Sequence, residues 1–255
     1  MEIVSSRKNA NVRVLRQVLR EKQFRDEHGV FAAEGDHLCG ELVRAGFKVT
    51  YAAYTEKAAA KYPETAAMLT EKADTVIVIT EELSEYISDT KSPQGIFAAA
   101  EIRGSTLDKN ARKIVVLDGV QDPGNVGTVI RAAEALGADG AVLVNGCADI
   151  LSPKTLRASM GSVFRLPVIN ADNDSLPKLL SGFAVYGAML DSTAKRLGEE
   201  KFPEKTAVVI GSEGAGISAE VAELCDEKIY IPIKGAESLN AAMAAAIIMW
   251  ELGKV

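Results

Sequence analysis

Cysteine, histidine and tryptophan are scarce in this chain: of 255 residues, three are cysteine, two histidine and one tryptophan. Cys39, Cys147 and Cys225 are isolated and odd in number. That argues against a zinc site and for small core residues in a reducing compartment. No apolar run reaches the roughly 18–20 residues needed to span a bilayer, and Met1-Glu-Ile-Val-Ser-Ser-Arg7 lacks the apolar core of a signal peptide. The expectation is a cytoplasmic protein with no membrane partner and no metal. There is no Walker A sequence, no G-x-G-x-x-G, no internal repeat and no low-complexity tract, which weakens a nucleotide triphosphatase or dinucleotide-binding reading.

What is present is an ordinary globular composition, 47% hydrophobic and 25% charged, with a net charge of −6. The negative balance argues mildly against indiscriminate nucleic-acid binding. The charge is uneven, however. Between residues 1 and 25 seven bases (Arg7, Lys8, Arg13, Arg16, Arg20, Lys22, Arg25) face two acids (Glu2, Glu21), a local balance of +5. The simplest account is the solvated face of an amphipathic helix with Val14, Leu15, Val18 and Leu19 turned inward, a face also open to phosphates.

Periodicity predicts helices over 9–22, 36–45, 55–69 (interrupted at Pro63) and 81–88. It predicts strands over 30–33, 48–54, 75–80 and 95–100. This is a small α/β unit, residues 1–101. Residues 102–112 are polar and turn-rich and read as a linker. From 113 to 255 strands and helices alternate: strands at 114–117, 140–144, 164–169, 185–190, 207–210 and 228–233, and helices after Asn125, from Ser152, over 175–180 and 218–224, and at the C-terminus. Residues 195–205 and 234–237 read as loops. Such alternation predicts an α/β fold with a parallel sheet covered on both faces.

Three constellations sit at predicted strand ends. In Asn125-Val-Gly127-Thr-Val-Ile-Arg131, Asn125 is placed to cap a helix and Arg131 to lean over Gly127 near its N-terminus, where an anion could sit. The plain alternative is a surface arginine paired with Glu134. In Gly211-Ser-Glu213-Gly-Ala-Gly216, a glycine-rich turn follows a buried strand, and the acid inside it would repel a pyrophosphate. In Ile231-Pro-Ile-Lys-Gly235-Ala-Glu-Ser238-Leu-Asn240, Ser238 can cap the final helix, and polar Ser238 and Asn240 adjoin apolar Ile231, Ile233 and Leu239. Leu239, Met243, Ile247 and Trp250 then recur at helical spacing, and the intervening alanines make the helix thin enough for close packing.

The three motifs, in this order, resemble the SpoU (TrmH) family of RNA ribose methyltransferases in the SPOUT superfamily: N-x-G-x-x-x-R at Asn125, Gly127 and Arg131, G-x-E-x-x-G at Gly211, Glu213 and Gly216, and I-P…G…S-L-N at Ile231, Pro232, Gly235, Ser238, Leu239 and Asn240. Arg157-Ala-Ser-Met-Gly161 is similar as well, while Ala241-Ala-Met departs from the valine and serine common after the third motif. The resemblance is strongest over 113–255. Phe31-Ala-Ala-Glu34-Gly35 and Ser92-Pro-Gln-Gly95 look like the substrate-binding domain often fused ahead of it.

The resemblance implies a deep trefoil knot, a homodimer and S-adenosylmethionine as cofactor. It implies methyl transfer to a ribose 2′-hydroxyl, with ribosomal RNA favoured over transfer RNA. It carries Gly211, Ile231 and Leu239 as cofactor contacts with Leu190 and Ile233 as walls. Arg131 becomes the group acting on the hydroxyl, Asn125, Ser238 and Asn240 orient it, and Glu213 holds Arg131 or the loop. His28 and His37, both upstream, are structural or RNA-facing. Two readings from other classes stand beside it. A non-catalytic RNA-binding module is opposed by the presence of Arg131, Glu213 and Asn240, and a nucleotide-dependent oxidoreductase by the glycine spacing.

Overall fold

The computed structural model describes residues 2–199, 201–235 and 238–253. In chain order its elements are β1 (Ile3–Val4), α1 (Ala10–Arg20), α2 (Lys22–His28), β2 (Val30–Glu34), α3 (Asp36–Arg44), β3 (Val49–Tyr54), α4 (Glu56–Lys61), α5 (Pro63–Lys72), β4 (Thr75–Ile79), α6 (Glu81–Ile87) and β5 (Ile96–Glu101). Then come β6 (Lys113–Asp118), α7 (Pro123–Ala135), β7 (Gly140–Val144), α8 (Pro153–Ser159), β8 (Val168–Asn170), α9 (Leu176–Leu179), β9 (Ala184–Ala188), β10 (Lys195–Arg196), β11 (Thr206–Gly211), α10 (Ala219–Ala222), β12 (Glu227–Tyr230) and α11 (Ala241–Leu252). They form two compact units. One comprises the residues up to Arg103 with Leu151–Phe164, and the other Gly104–Ile150 with the residues from Arg165 onward.

The first unit is built on a five-stranded sheet of order β1-β4-β3-β5-β2, with β5 antiparallel to β2 and β3 and the other pairs parallel. Alternation along the strands builds two cores. Phe31, Ile96 and Ala98 face α3 and α5, whereas Ala32, Phe97 and Ala99 face α1 and α6. Pro63 breaks the helical run and starts α5, where its missing N–H is harmless. The basic N-terminal segment divides as its chemistry dictates. Val12, Leu15, Val18 and Leu19 are buried, and Arg13 and Arg20 are exposed. Arg25 is instead buried and donates to the Val18 carbonyl at 3.0 Å, so it does not belong to the solvated basic face.

Segment 151–164 lies in the sequence among elements of the second domain, yet it packs in the first unit. Leu156 and Phe164 are fully or almost fully buried in its core, and Phe164 rests against Phe31 and Phe47. The predicted strand over 164–169 is therefore shortened. Phe164 closes a 3₁₀ turn, and β8 begins only at Val168, after Pro167, which has no N–H for the ladder.

The second unit is a seven-stranded sheet, all parallel, of order β10-β12-β9-β11-β6-β7-β8. One face is covered by α9 and α10 through Leu176 and Val221. α7 and α11 pack on each other and against β6 and β11. Within α11 the alanines face inward: Ala241, Ala242 and Ala245 are buried with Ile248 and Met249. The larger residues at Met243, Ile247 and Trp250 are exposed, so the apolar stripe read in the sequence points outward. β12 stops at Tyr230, because Pro232 cannot donate to a ladder. Lys195–Arg196, read as loop, pair as an edge strand with β12. In the loop after β12, Lys234 and Gly235 form a bend, and Ala236 and Glu237 lie outside the described residues.

Candidate functional site

Because the sheet of the second unit is parallel, the loops following β6, β9, β11 and β12 emerge at the same edge, the usual place for a site in such folds. The three sequence motifs sit on three of these loops, and one line of side chains joins them. Asn125 donates its amide N–H to Glu213, and its amide oxygen accepts from Asn240 Nδ2 at 3.0 Å. Asn240 in turn caps α11, its Oδ1 accepting from the N–H groups of Ala242 (3.0 Å) and Met243 (3.3 Å). Each amide thus has one polarity committed on each side, which fixes its orientation.

The caps differ from those read in the sequence. Asp122, not Asn125, caps α7, with Pro123 at the first helical position and Asp122 Oδ1 accepting from the Asn125 N–H at 3.0 Å. Asn240, not Ser238, caps α11. Both shifts release the motif residue for the site: Asn125 lies inside the first turn, where its side chain can reach Glu213 and Asn240.

Arg131 is on the same helix, exposed, and no carboxylate pairs with it among the described residues. Its expected neighbour Glu134 is taken by Arg165, through Nε at 2.6 Å and Nη2 at 2.9 Å. Glu213 accepts from Asn125, and among the described residues it makes no ion pair with Arg131. Arg131 is left as a free guanidinium on the exposed side of α7.

Leu190 and Ile233, read as walls, and Ile231 and Leu239, read as backbone contacts, all line an apolar cavity of about 130 Å³ closed below by Ala244 and Ile248, with Ser238 as a polar edge. Leu190 is 70% exposed, so the cavity is open on that side. Such a volume lies below that of sites enclosing a whole ligand and suits a flat ring system at one end of one. The N–H groups of Ile231, Ile233 and Leu239 take no hydrogen bond among the described residues, leaving backbone donors at its rim. The loop after β9 is braced by Asp191. Its carboxylate accepts from Lys228 Nζ at 2.8 Å and from the N–H and hydroxyl of Thr193, and Lys228 first and then Thr193 hold it well below the usual carboxylate range.

Gly211 does not line this cavity. A Cβ there would lie 2.1 Å from the carbonyl carbon of Gly216 and 2.3 Å from Ile217 N. Its bareness lets the 212–216 loop fold back, closed by the paired N–H···O bonds of Ser212 and Gly216 at 3.0 Å. Tryptophan at this position would therefore break the loop, not merely fill a pocket.

Asp118 escaped the sequence reading. It is 2% exposed at the end of β6 and accepts from Ser218 N at 2.6 Å and Asn145 Nδ2 at 2.8 Å. It thereby ties together the loops after β6, β7 and β11. The signal was an acid closing an apolar strand, Val115-Val-Leu-Asp118, where a buried charge needs donors. Among the described residues no cluster of His, Cys, Asp and Glu could hold a metal.

The profile of the SpoU rRNA Methylase family matches residues 112–250, and that of the MRM3-like substrate binding domain matches residues 9–98. The chain is 35% identical to the 23S rRNA (guanosine(2553)-2′-O)-methyltransferase RlmP of Bacillus subtilis over 99% of both chains. It is 28% identical to the 23S rRNA (uridine(2479)-2′-O)-methyltransferase of Streptomyces viridochromogenes, over 96% of this chain and 89% of that one. Among solved structures, the AdoMet-bound rRNA methyltransferase from Sinorhizobium meliloti superposes with a TM-score of 0.89 at 30% identity, covering 99% of this chain and 97% of the other.

Proposed function

The chain belongs to the SpoU rRNA methylase family, and from that premise we propose that it is an S-adenosylmethionine-dependent methyltransferase acting on a ribose 2′-hydroxyl of ribosomal RNA. The observation that carries the reading is the line Glu213–Asn125–Asn240, which ties the three motif loops together next in the chain to the apolar cavity. The full-length relatives named for ribosomal RNA favour that substrate over transfer RNA. They act on different nucleotides, guanosine 2553 and uridine 2479, so the target position is not carried over.

The residues fit the cofactor: an apolar slot between Leu190, Ile231, Ile233 and Leu239, with free backbone donors at its rim, suits an adenine ring. When bound, S-adenosylmethionine supplies an electrophilic methyl group on a sulfonium centre. The ribose hydroxyl is a weak nucleophile until its proton leaves or its developing charge is stabilised. Arg131 serves the second need. A guanidinium is not deprotonated in proteins, so Arg131 acts as a donor that positions the neighbouring phosphate and stabilises negative charge on the 2′-oxygen. Asn125 and Asn240 hold the loops in register with α7, and Glu213 fixes the orientation of Asn125. Ser238 offers a hydroxyl at the cavity edge.

The working form is a homodimer through α11. Met243 (57% exposed), Ile247 (37%) and Trp250 (61%) form an apolar stripe about two turns long, which a second copy would cover. The C-terminal segment is threaded as a trefoil knot, as in the SPOUT superfamily, and the protein works in the cytoplasm. No helix among the described residues is long and apolar enough to cross a membrane. RNA phosphates are met by the first unit. There Arg13, Arg16 and Arg20 surround Tyr86, with the Arg16 guanidinium 4.0 Å from the ring centroid and its Nη1 2.5 Å from the hydroxyl. Calorimetric titration with S-adenosylmethionine and, separately, NAD tests the class directly. Binding of the first alone is expected, and binding of NAD instead would return the chain to the oxidoreductase reading.

A further inference from the structure

The first unit holds a second cavity, of about 350 Å³, that the transfer chemistry does not use. Its walls are Glu34 and Gly35 at the end of β2, Ser92 and Gln94 from the loop before β5, and Arg157 and Met160 at the end of α8. We propose that this cavity receives one unstacked nucleotide of the RNA, with Met160 against the face of its base and Arg157 and Gln94 donating to its edge. The inference rests on the RNA-methyltransferase reading above.

Three features point to a ligand. Arg157 is gripped on one side only: its Nη2 donates to Asp89 at 3.0 Å, while its Nη1 is buried with no partner among the described residues. A buried donor left unpaired is costly, and an acceptor arriving with a ligand would relieve it. Gln94 is half used in the same way. Its Oε1 accepts from Asp36 N at 2.8 Å, which leaves its amide N–H groups without a partner among the described residues. Met160 is a non-glycine residue in the left-handed region, φ 50°, is 41% exposed, and with Leu38 gives the cavity an apolar wall. Its carbonyl is held by His37 Nε2 at 3.2 Å. This conformation is the left-handed cap that closes α8, its N–H returning to the Arg157 carbonyl at 3.2 Å.

The cavity is also rigid. Glu34 is buried and accepts from Ser88 Oγ (2.5 Å), Thr90 Oγ1 (2.9 Å) and Asp89 N (3.2 Å), fixing the loop whose Asp89 holds Arg157. Gly35, at φ 95°, lets Gln94 close in, its Oε1 3.1 Å from where a Cβ would stand. The charge excludes a phosphate. Arg157 is paired with Asp89, which lies outside the wall, and Glu34 adds a carboxylate to the wall itself. What fits is a neutral, flat group with an apolar face and acceptors along its edge. Unpaired RNA presents its bases in that way, splayed out and read by stacking and edge hydrogen bonds.

The test uses the full chain and short single-stranded RNA pools carrying 4-thiouridine or 6-thioguanosine, photo-cross-linked and mapped by mass spectrometry. Met160→Gly is the main variant, because φ 50° suits glycine and the backbone need not move. Arg157→Gln is the second. Cross-links are expected at Met160 or within 92–94, and Met160→Gly should weaken RNA affinity about tenfold, in the range for a lost stacking contact. The salt dependence of binding should keep its slope, since no phosphate contact is lost, and S-adenosylmethionine affinity should be unchanged. Cross-links confined to α1, with affinity within twofold of wild type in both variants, would overturn the proposal. So would a loss accompanied by a shallower salt slope, which would mark a phosphate site. A wild-type chain that binds S-adenosylmethionine but no RNA would instead sink the RNA reading on which the proposal stands.

Discussion

Asn240 does two jobs that substitution can separate. As the cap of α11 it accepts from two backbone N–H groups, and as a donor it holds Asn125. Asn240→Ala removes both: about 1 kcal/mol for the cap and about 1 kcal/mol for the hydrogen bond, so about 2 kcal/mol in equilibrium urea unfolding. Asn240→Asp keeps the cap, and its charge at the helix N-terminus adds about 0.3–1 kcal/mol. It cannot donate to Asn125, however, and sets oxygen against oxygen where 3.0 Å now separates donor from acceptor. Stability of Asn240→Asp should therefore stay within about 1 kcal/mol of wild type, while kcat/KM falls by about 10²-fold, the scale of a roughly 1 Å misplacement of a site group. Adding Glu213→Gln reverses the polarity of the whole line: Asn125 can flip, donate to the aspartate and accept from the glutamine. A double-mutant cycle on stability should show favourable coupling of about 1 kcal/mol. Wild-type activity in Asn240→Asp, or no coupling in the cycle, would refute the view that this line organises the site.

Gly211→Ala should weaken S-adenosylmethionine binding at least tenfold and lower the melting temperature, because its Cβ would stand 2.1 Å from Gly216 and force the loop open; calorimetry and a thermal scan check both. Trp250→Glu should leave the monomer's unfolding free energy within about 0.5 kcal/mol, as for an exposed position, yet shift sedimentation from dimer to monomer. Arg131→Ala should bind cofactor but lose about 10²–10⁴ in rate. Burial raises the Cys39 thiol far above its ordinary value and Cys225 to about 11. Folded-state values above the unfolded value of 9.0 mean stability intact below pH 9 and declining as pH rises further. Denaturation midpoints should fall there, and fall less in Cys39→Ala.

The parallel sheet and the motif loops were legible because alternating apolar runs and glycine turns are local signals, whereas the ends of β8 and β12 were not, since Pro167 and Pro232 cut the ladders short. Asn125, Glu213 and Asn240 could be named from spacing, but their mutual bonds could not, since sequence separations of 88 and 115 residues are invisible to periodicity. The caps were misplaced by two or three residues because Asp122, Asn125, Ser238 and Asn240 are all good capping residues; geometry alone chose Asp122 and Asn240. Segment 151–164 joins the first unit through Leu156 and Phe164, a tertiary choice that helix propensity does not encode. Asp118 was overlooked because a single acid at a strand end reads as turn chemistry until its donors Ser218 and Asn145 are seen.

Mapping 2′-O-methyl groups across total RNA from cells with and without the protein reads out ribose methylation of ribosomal RNA at its product. The expected result is a ribosomal RNA ribose that resists alkaline cleavage when the wild-type chain is present and is cleaved when it is absent or carries Arg131→Ala. Identical ribose maps with and without the protein, or a difference confined to transfer RNA or to a base, would contradict it.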